Sequence, residues 1–234
     1  MDSRLGSTAT AGRTIGMTKL GLAFVVACST AGVASPVMAQ SAPHHGATLS
    51  ASAGLQQDMR KLWSDHVIWT RNYIVAAVGD QPDAQVAAER LMKNQEDIGA
   101  AVAHFYGRPA GDTLTALLKE HIVIAVDIIK FAKAGNKTAQ QQADAAWHRN
   151  GEAIADFLSK ANPNWPRATL VAMMNAHLAT TTDEVVARLT GNWDADARAF
   201  DAVYDHILGM ADALSDGIIR QFPDKFVGGS TKSE

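Results

Sequence analysis

Four histidines stand where apolar side chains would be expected. His66 follows Leu62 and Trp63 and precedes Trp69. His121 follows Leu117 and Leu118, His177 follows Met173 and Met174, and His206 follows Val203 and precedes Met210. Each falls on an apolar stripe of helical period, so a helix carrying it would turn the imidazole toward a core. Buried polar groups cost about 1–3 kcal/mol each when unpaired, so such a set must hold its members together or hold something else. Neutral imidazole is also the commonest metal-ligating side chain.

Other polar residues share these stripes. Asn94 and Asn150 lie on apolar faces of their own segments, and Thr181 and Glu184 follow His177 at i+4 and i+7. Arg71 sits one turn beyond His66, among Trp69, Thr70 and Tyr73, where a lone cation needs a carboxylate or a bound anion; Asp97 and Glu184 are the candidates. These residues define one expected internal site. His66, His121, His177, Glu184 and His206 are its candidate metal ligands. Trp63, Trp69, Arg71, Asn94, Asp97, Asn150 and Thr181 are the candidate lining of a pocket for a small polar ligand. The candidate metals are copper, zinc and iron, and His206-x-x-x-Met210 places a nitrogen and a thioether on one face, which suits copper. The Glu-x-x-His pair of di-iron bundles is absent, and a hemerythrin-like His148-x-x-x-Glu152 stands without its companion. Two other readings compete: the same groups form only a hydrogen-bonded network that fixes helix register, or they carry acid–base catalysis through Asp97, His121, His177 and Glu184.

Six helical segments must position these residues. They are expected at about 55–78, 83–105, 113–136, 138–161, 168–190 and 194–221, separated by Gly79-Asp80-Gln81-Pro82, a turn at 106–111, Gly135-Asn136, Asn162 to Pro166 and Gly191-Asn192. No period-two alternation argues for strands. Shifted by 56 residues, 94–136 lies over 150–192 with ten identities in 43 positions, among them Asn94 on Asn150, His121 on His177 and Gly135-Asn136 on Gly191-Asn192. At the same offset His206 follows Asn150. A repeat at fixed spacing with short connections predicts an all-α, single-domain antiparallel bundle of about six helices, built on a duplicated helix hairpin.

Arg4, Arg13 and Lys19 precede an apolar run of 15 residues, Leu20 to Ala34, and Ser35-Pro36-Val37-Met38-Ala39 offers a small-residue cleavage site. This is the pattern of a secretory signal, and the run is short of the ~20 residues a membrane span needs. Cleavage after Ala39 and a periplasmic or secreted location are expected, with Met17 an alternative start. Val25-Val26-Ala27-Cys28 resembles a lipobox that would instead lipidate Cys28. Residues 40–54 read as a flexible linker, 55–226 as the bundle domain and 227–234 as a disordered tail. Cys28 is the only cysteine, so cleavage after Ala39 leaves none for disulfides or nucleophilic catalysis. Of 21 basic and 24 acidic residues, cleavage removes Arg4, Arg13, Lys19 and Asp2, leaving 18 and 23, net −5. A mildly acidic chain without a basic block is a poor partner for nucleic acid. No P-loop, Gly-x-Gly-x-x-Gly, Gly-x-Ser-x-Gly or Cys-x-x-Cys-His is present.

The blocks Trp63-x-x-His66-Val67-x-Trp69-Thr70-Arg71, Asn94-Gln95-x-Asp97-Ile98-Gly99, Glu120-His121-Ile122, Met210-Ala211-Asp212-x-Leu214-Ser215-Asp216-Gly217-Ile218-Ile219 and Gln221-Phe222-Pro223-x-Lys225-Phe226 resemble a family of short bacterial all-helical proteins of uncharacterised function, over about residues 55–226. Its members are at times labelled transferases or kinases without the motifs those activities need. The resemblance implies a compact helical fold and no catalytic residue.

Overall fold

A computed structural model describes residues 50–226. The expected signal segment, the cleavage site at Ala39, Cys28, residues 40–49 and the tail at 227–234 lie outside the described residues. Six helices follow one another: α1 Ala51–Val78, α2 Ala84–Tyr106, α3 Arg108–Lys133, α4 Lys137–Ala161, α5 Arg167–Leu189 and α6 Trp193–Gln221, with a short 3-10 turn at Pro223–Lys225. Each packs on the next, and α6 returns to pack on α1. Cross-helix bonds fix the directions. Asn94 reaches Leu62 across α1 and α2, while Gln56 pairs with Asp216, and Arg60 with Asp212, across α1 and α6. The all-α bundle is therefore antiparallel and closed. Among the described residues no strand forms, and no helix is long and apolar enough to cross a membrane.

Local chemistry explains the boundaries. Gly135 and Gly191 both adopt φ 68°, the left-handed turn that ends α3 and α5. The Asn after each glycine starts the next helix: Asn136 accepts from the Ala139 N–H and Asn192 from the Ala195 N–H, both at 3.2 Å. Between α1 and α2 the same duty passes to Asp80, at φ 53°. Two expected boundaries move. The linker does not extend to residue 54, because Ser50 caps the Ala53 N–H and α1 begins at Ala51. The turn at 106–111 shrinks to Gly107, at φ 85°, because Pro109 fits the first helical turn and α3 starts at Arg108.

Gly111 is consequently a helical residue, buried where α2 and α3 cross. A Cβ there would stand 2.5 Å from the Gly99 carbonyl oxygen and 2.6 Å from the Ala103 Cβ. Gly111→Ala is expected to force these backbones apart and cost about 1–3 kcal/mol, a loss read from the denaturation midpoint. An unchanged midpoint would mean the two helices do not meet this closely.

One half of the core gathers Trp63, Ile98, Leu118, Ile154, Met174, Ile207 and Leu214. Toward the glycine turns, Tyr73, Ile74, Ala87, Ile129 and Val185 form a second cluster. His66, His121 and His177 lie on helices that contribute to both clusters, and His206 on α6, which contributes to the first.

Candidate functional site

The hairpin repeat becomes physical at three equivalent crossings. Leu62, Leu117 and Met173 each lie one turn before His66, His121 and His177. Their backbone carbonyls accept from Asn94 Nδ2 at 3.0 Å, Asn150 Nδ2 at 3.1 Å and His206 Nε2 at 2.9 Å. Asn94, Asn150 and His206 thus do the same work on α2, α4 and α6: each pins its helix to the preceding one in fixed register. A carbonyl only accepts, so His206 Nε2 carries a proton.

The central histidines are 3–4 % exposed and share the core. The His66 and His177 rings are 5.6 Å apart between centroids, and those of His121 and His177 are 6.0 Å apart at 24°. His206 stacks on His177 at 6.3 Å and 15°. Asn150 Oδ1 lies 3.0 Å from His121 Nδ1. Because the Asn150 amide nitrogen is spent on Leu117, that oxygen accepts, so the His121 proton is on Nδ1 and its Nε2 keeps the lone pair. The Gln95 amide nitrogen approaches His66 Nδ1 at 3.2 Å and also donates to Leu91 O. His177 Nδ1 is buried with no partner, and so are Trp63 Nε1 and Gln95 Oε1. No hydrogen bond among the described residues engages Nε2 of His66, His121 or His177.

Between them is a small cavity of about 20 Å³, lined by Trp63, His66, Leu118, His121, Ile154, Ala155, Leu158, Leu170, Met173, Met174, His177, Met210 and Leu214. Among the described residues no carboxylate lines it. Burial disfavours imidazolium, so His66 is pushed down to about 4 and His121 to about 3. His177 is held well below its ordinary value by burial first and by the neighbouring histidines next. At neutral pH its three imidazoles are uncharged, and the rest of its wall is apolar side chains, three methionines among them.

Arg71 is half-buried and clasps two carboxylates. It donates to Glu184 Oε1 at 2.8 Å, and to Asp196 through both terminal nitrogens, one of them at 2.8 Å. Glu184 and Asp196 are 1 % and 2 % exposed, and Arg188 adds a second cation to Asp196 at 3.3 Å. Burial raises the Glu184 carboxyl against Arg71, while the Arg71 bond holds Asp196 below its ordinary value. Glu184 was one of the two carboxylates expected for Arg71; Asp97 was the other and is not there. Asp97 lies at the surface, 3.0 Å from Lys93, outside the cluster. Trp69 is also outside it, half-buried beneath the Arg90 guanidinium at 5.4 Å.

The structure therefore gathers His66, His121, His177 and Trp63 at one cavity and ties Asn94, Asn150 and His206 around it. Thr181 lies one turn beyond His177, and Glu184 with Arg71 forms a separate ion group. Among the described residues, no three His, Cys, Asp or Glu side chains stand, as placed, where they could hold a metal ion together. Sequence reasoning missed Gln95, fully buried beside Asn94, and Asp196, whose place in the first turn of α6 reads as an ordinary dipole-facing acid. It also missed Trp147, packed against His121 at 5.1 Å. No protein-family model matches this chain, and neither a curated protein nor a solved structure does.

Proposed function

We propose that this protein, exported through a signal at residues 1–39, takes up one soft metal ion, monovalent copper foremost, in the cavity between His66, His121 and His177. The observation that carries the reading is the cavity wall: three neutral imidazoles and the side chains of Met173, Met174 and Met210 around a space for one ion. Imidazole and thioether suit copper(I), whereas iron and zinc often add carboxylate ligands that this wall lacks. A divalent ion would also bury two uncompensated charges. The depressed histidines are uncharged at pH 7, so no imidazolium has to be deprotonated first. The Asn150 bond that fixes the His121 tautomer is the kind of support that orients a metal-binding imidazole. His177, with an unpartnered Nδ1, gives up no hydrogen bond when its ring turns toward an ion.

The rival reading, a network that only fixes register, is favoured by the three carbonyl bonds of Asn94, Asn150 and His206. It accounts for the outer ring of polar groups and reaches His121 through Asn150 and His66 through Gln95, but leaves His177 without a partner.

The test is anaerobic titration with copper(I) against a chromophoric chelator. One equivalent is expected to be retained, with the melting temperature raised in proportion to occupancy. His177→Phe and Met174→Leu should each weaken retention by about tenfold or more, a loss of about 1.4 kcal/mol or more in binding. No retained copper, and no thermal shift with copper, zinc or iron, would overturn the metal reading.

A further inference from the structure

Repetition makes one departure visible. Leu62, Leu117 and Met173 hold equivalent places one turn before the inner histidines, and their carbonyls accept from Asn94, Asn150 and His206. Two crossings thus pair leucine with asparagine, and the third pairs methionine with histidine. The third is also where the histidine cavity meets the surface. Leu62 and Leu117 do not line that cavity, and Met173 does. Every other residue of its wall is at most 7 % exposed, Met174 and Met210 included, whereas Met173 is only partly buried. His206, beside it on α6, is partly exposed as well. One residue therefore borders both the internal space and solvent, and it carries a thioether. Leucine fills the same place at the other two crossings, so packing there does not call for sulfur.

We propose that Met173 is the mouth of the histidine cavity and an oxidation site that governs it, its sulfoxide barring entry. The consequence for copper(I) rests on the proposed metal reading; the place of the mouth does not. The oxidant is hydrogen peroxide. The Met173 sulfur attacks one peroxide oxygen and the O–O bond breaks. Sulfur gains an S–O bond and gives up two electrons, and the other oxygen takes the proton of the first and leaves as water. The product is polar, so it favours water over the apolar wall, and it no longer offers copper(I) a soft thioether at the entrance. Met174 and Met210 lie deeper and are shielded, since oxidation follows exposure. Met92 is partly exposed but does not line the cavity, which makes it the control.

The full chain, freed of metal by a chelator, is treated with hydrogen peroxide, and peptide mass mapping follows each methionine. Met173 is expected to oxidise about tenfold or more faster than Met174 and Met210. Equal rates for the three, or Met174 or Met210 ahead, would place the mouth elsewhere and overturn the proposal. Once the peroxide is removed, copper(I) uptake is timed anaerobically. Oxidation should slow it by about tenfold, and a methionine sulfoxide reductase should restore it. Peroxide should have no effect on uptake by Met173→Leu, and its full effect on Met92→Leu. Unchanged uptake by protein carrying the Met173 sulfoxide would overturn the control that Met173 is said to exert. If the untreated protein takes up no copper, the metal reading fails instead, and the order of oxidation alone decides whether Met173 is the mouth.

Discussion

The metal-free protein is expected to unfold cooperatively as the pH is lowered from 7 toward 4, taking up about three protons as it does so. His66 and His121 titrate at about 4 and about 3 in the folded chain, and His177 well below its ordinary value. An unfolded histidine titrates near 6.5. Below that value the unfolded chain binds protons that the folded core refuses, so stability falls as the pH falls. The stability these residues hold is complete above about pH 6.5 and is lost on the way down to the folded values. Each contributes a slope of up to about 1.4 kcal/mol per pH unit, so three together approach about 4. By pH 5 the loss reaches about 6 kcal/mol, against a typical domain stability of about 5–15 kcal/mol. Glu184 works the other way by at most one proton, because burial raises its carboxyl in the folded chain. Urea denaturation at pH 7, 6 and 5 checks the slope. His177→Gln should reduce it by about a third, because one of three protons no longer counts. Equal stability at pH 7 and pH 5 would mean that these imidazoles are solvated.

The same burial decides how much of the molecule is legible in its sequence. Periodicity and breakers reveal all six helices, and the 56-residue echo is real in space: Asn94, Asn150 and His206 make equivalent bonds to Leu62, Leu117 and Met173. An apolar stripe says that a side chain faces inward, and His66, His121 and His177 do. It does not say which partners come round from other helices. Asp97 sits in the same turn as Asn94, yet 3.6-residue geometry turns it to solvent and Lys93. Asp196 is far from Arg71 in sequence and beside it only because α6 runs antiparallel along α1. Gly111 reads as a turn residue because glycine usually is one. Only the close crossing with Gly99 explains it inside a helix. Cavities leave no sequence mark at all, since they depend on how the six helices fail to fill the space between them.

Arg71→Met is expected to destabilise the protein by about 3–5 kcal/mol at pH 7, more than loss of any surface pair. Its size follows from what is left behind. Glu184 is 1 % exposed and has Arg71 as its hydrogen-bonded cation; Asp196, 2 % exposed, keeps only Arg188 at 3.3 Å. The contrast is Arg60, which holds Asp212 with two bonds of 2.6 Å, yet with 54 % and 36 % of the side chains exposed. Water replaces that pair, so Arg60→Met should cost only about 0–1 kcal/mol. Adding Glu184→Gln to Arg71→Met should recover part of the loss, because a neutral amide is cheaper to bury than an unpaired carboxylate. A double-mutant cycle over these substitutions measures the coupling, and additive losses would show that the two side chains do not meet. The pair also separates stability from metal uptake. With Glu184 committed to Arg71 and absent from the histidine cavity, Glu184→Gln alone should leave copper(I) retention unchanged while His177→Phe weakens it. If Glu184→Gln also released the ion, the carboxylate would belong to the site, and the wall of neutral donors would not be what holds it.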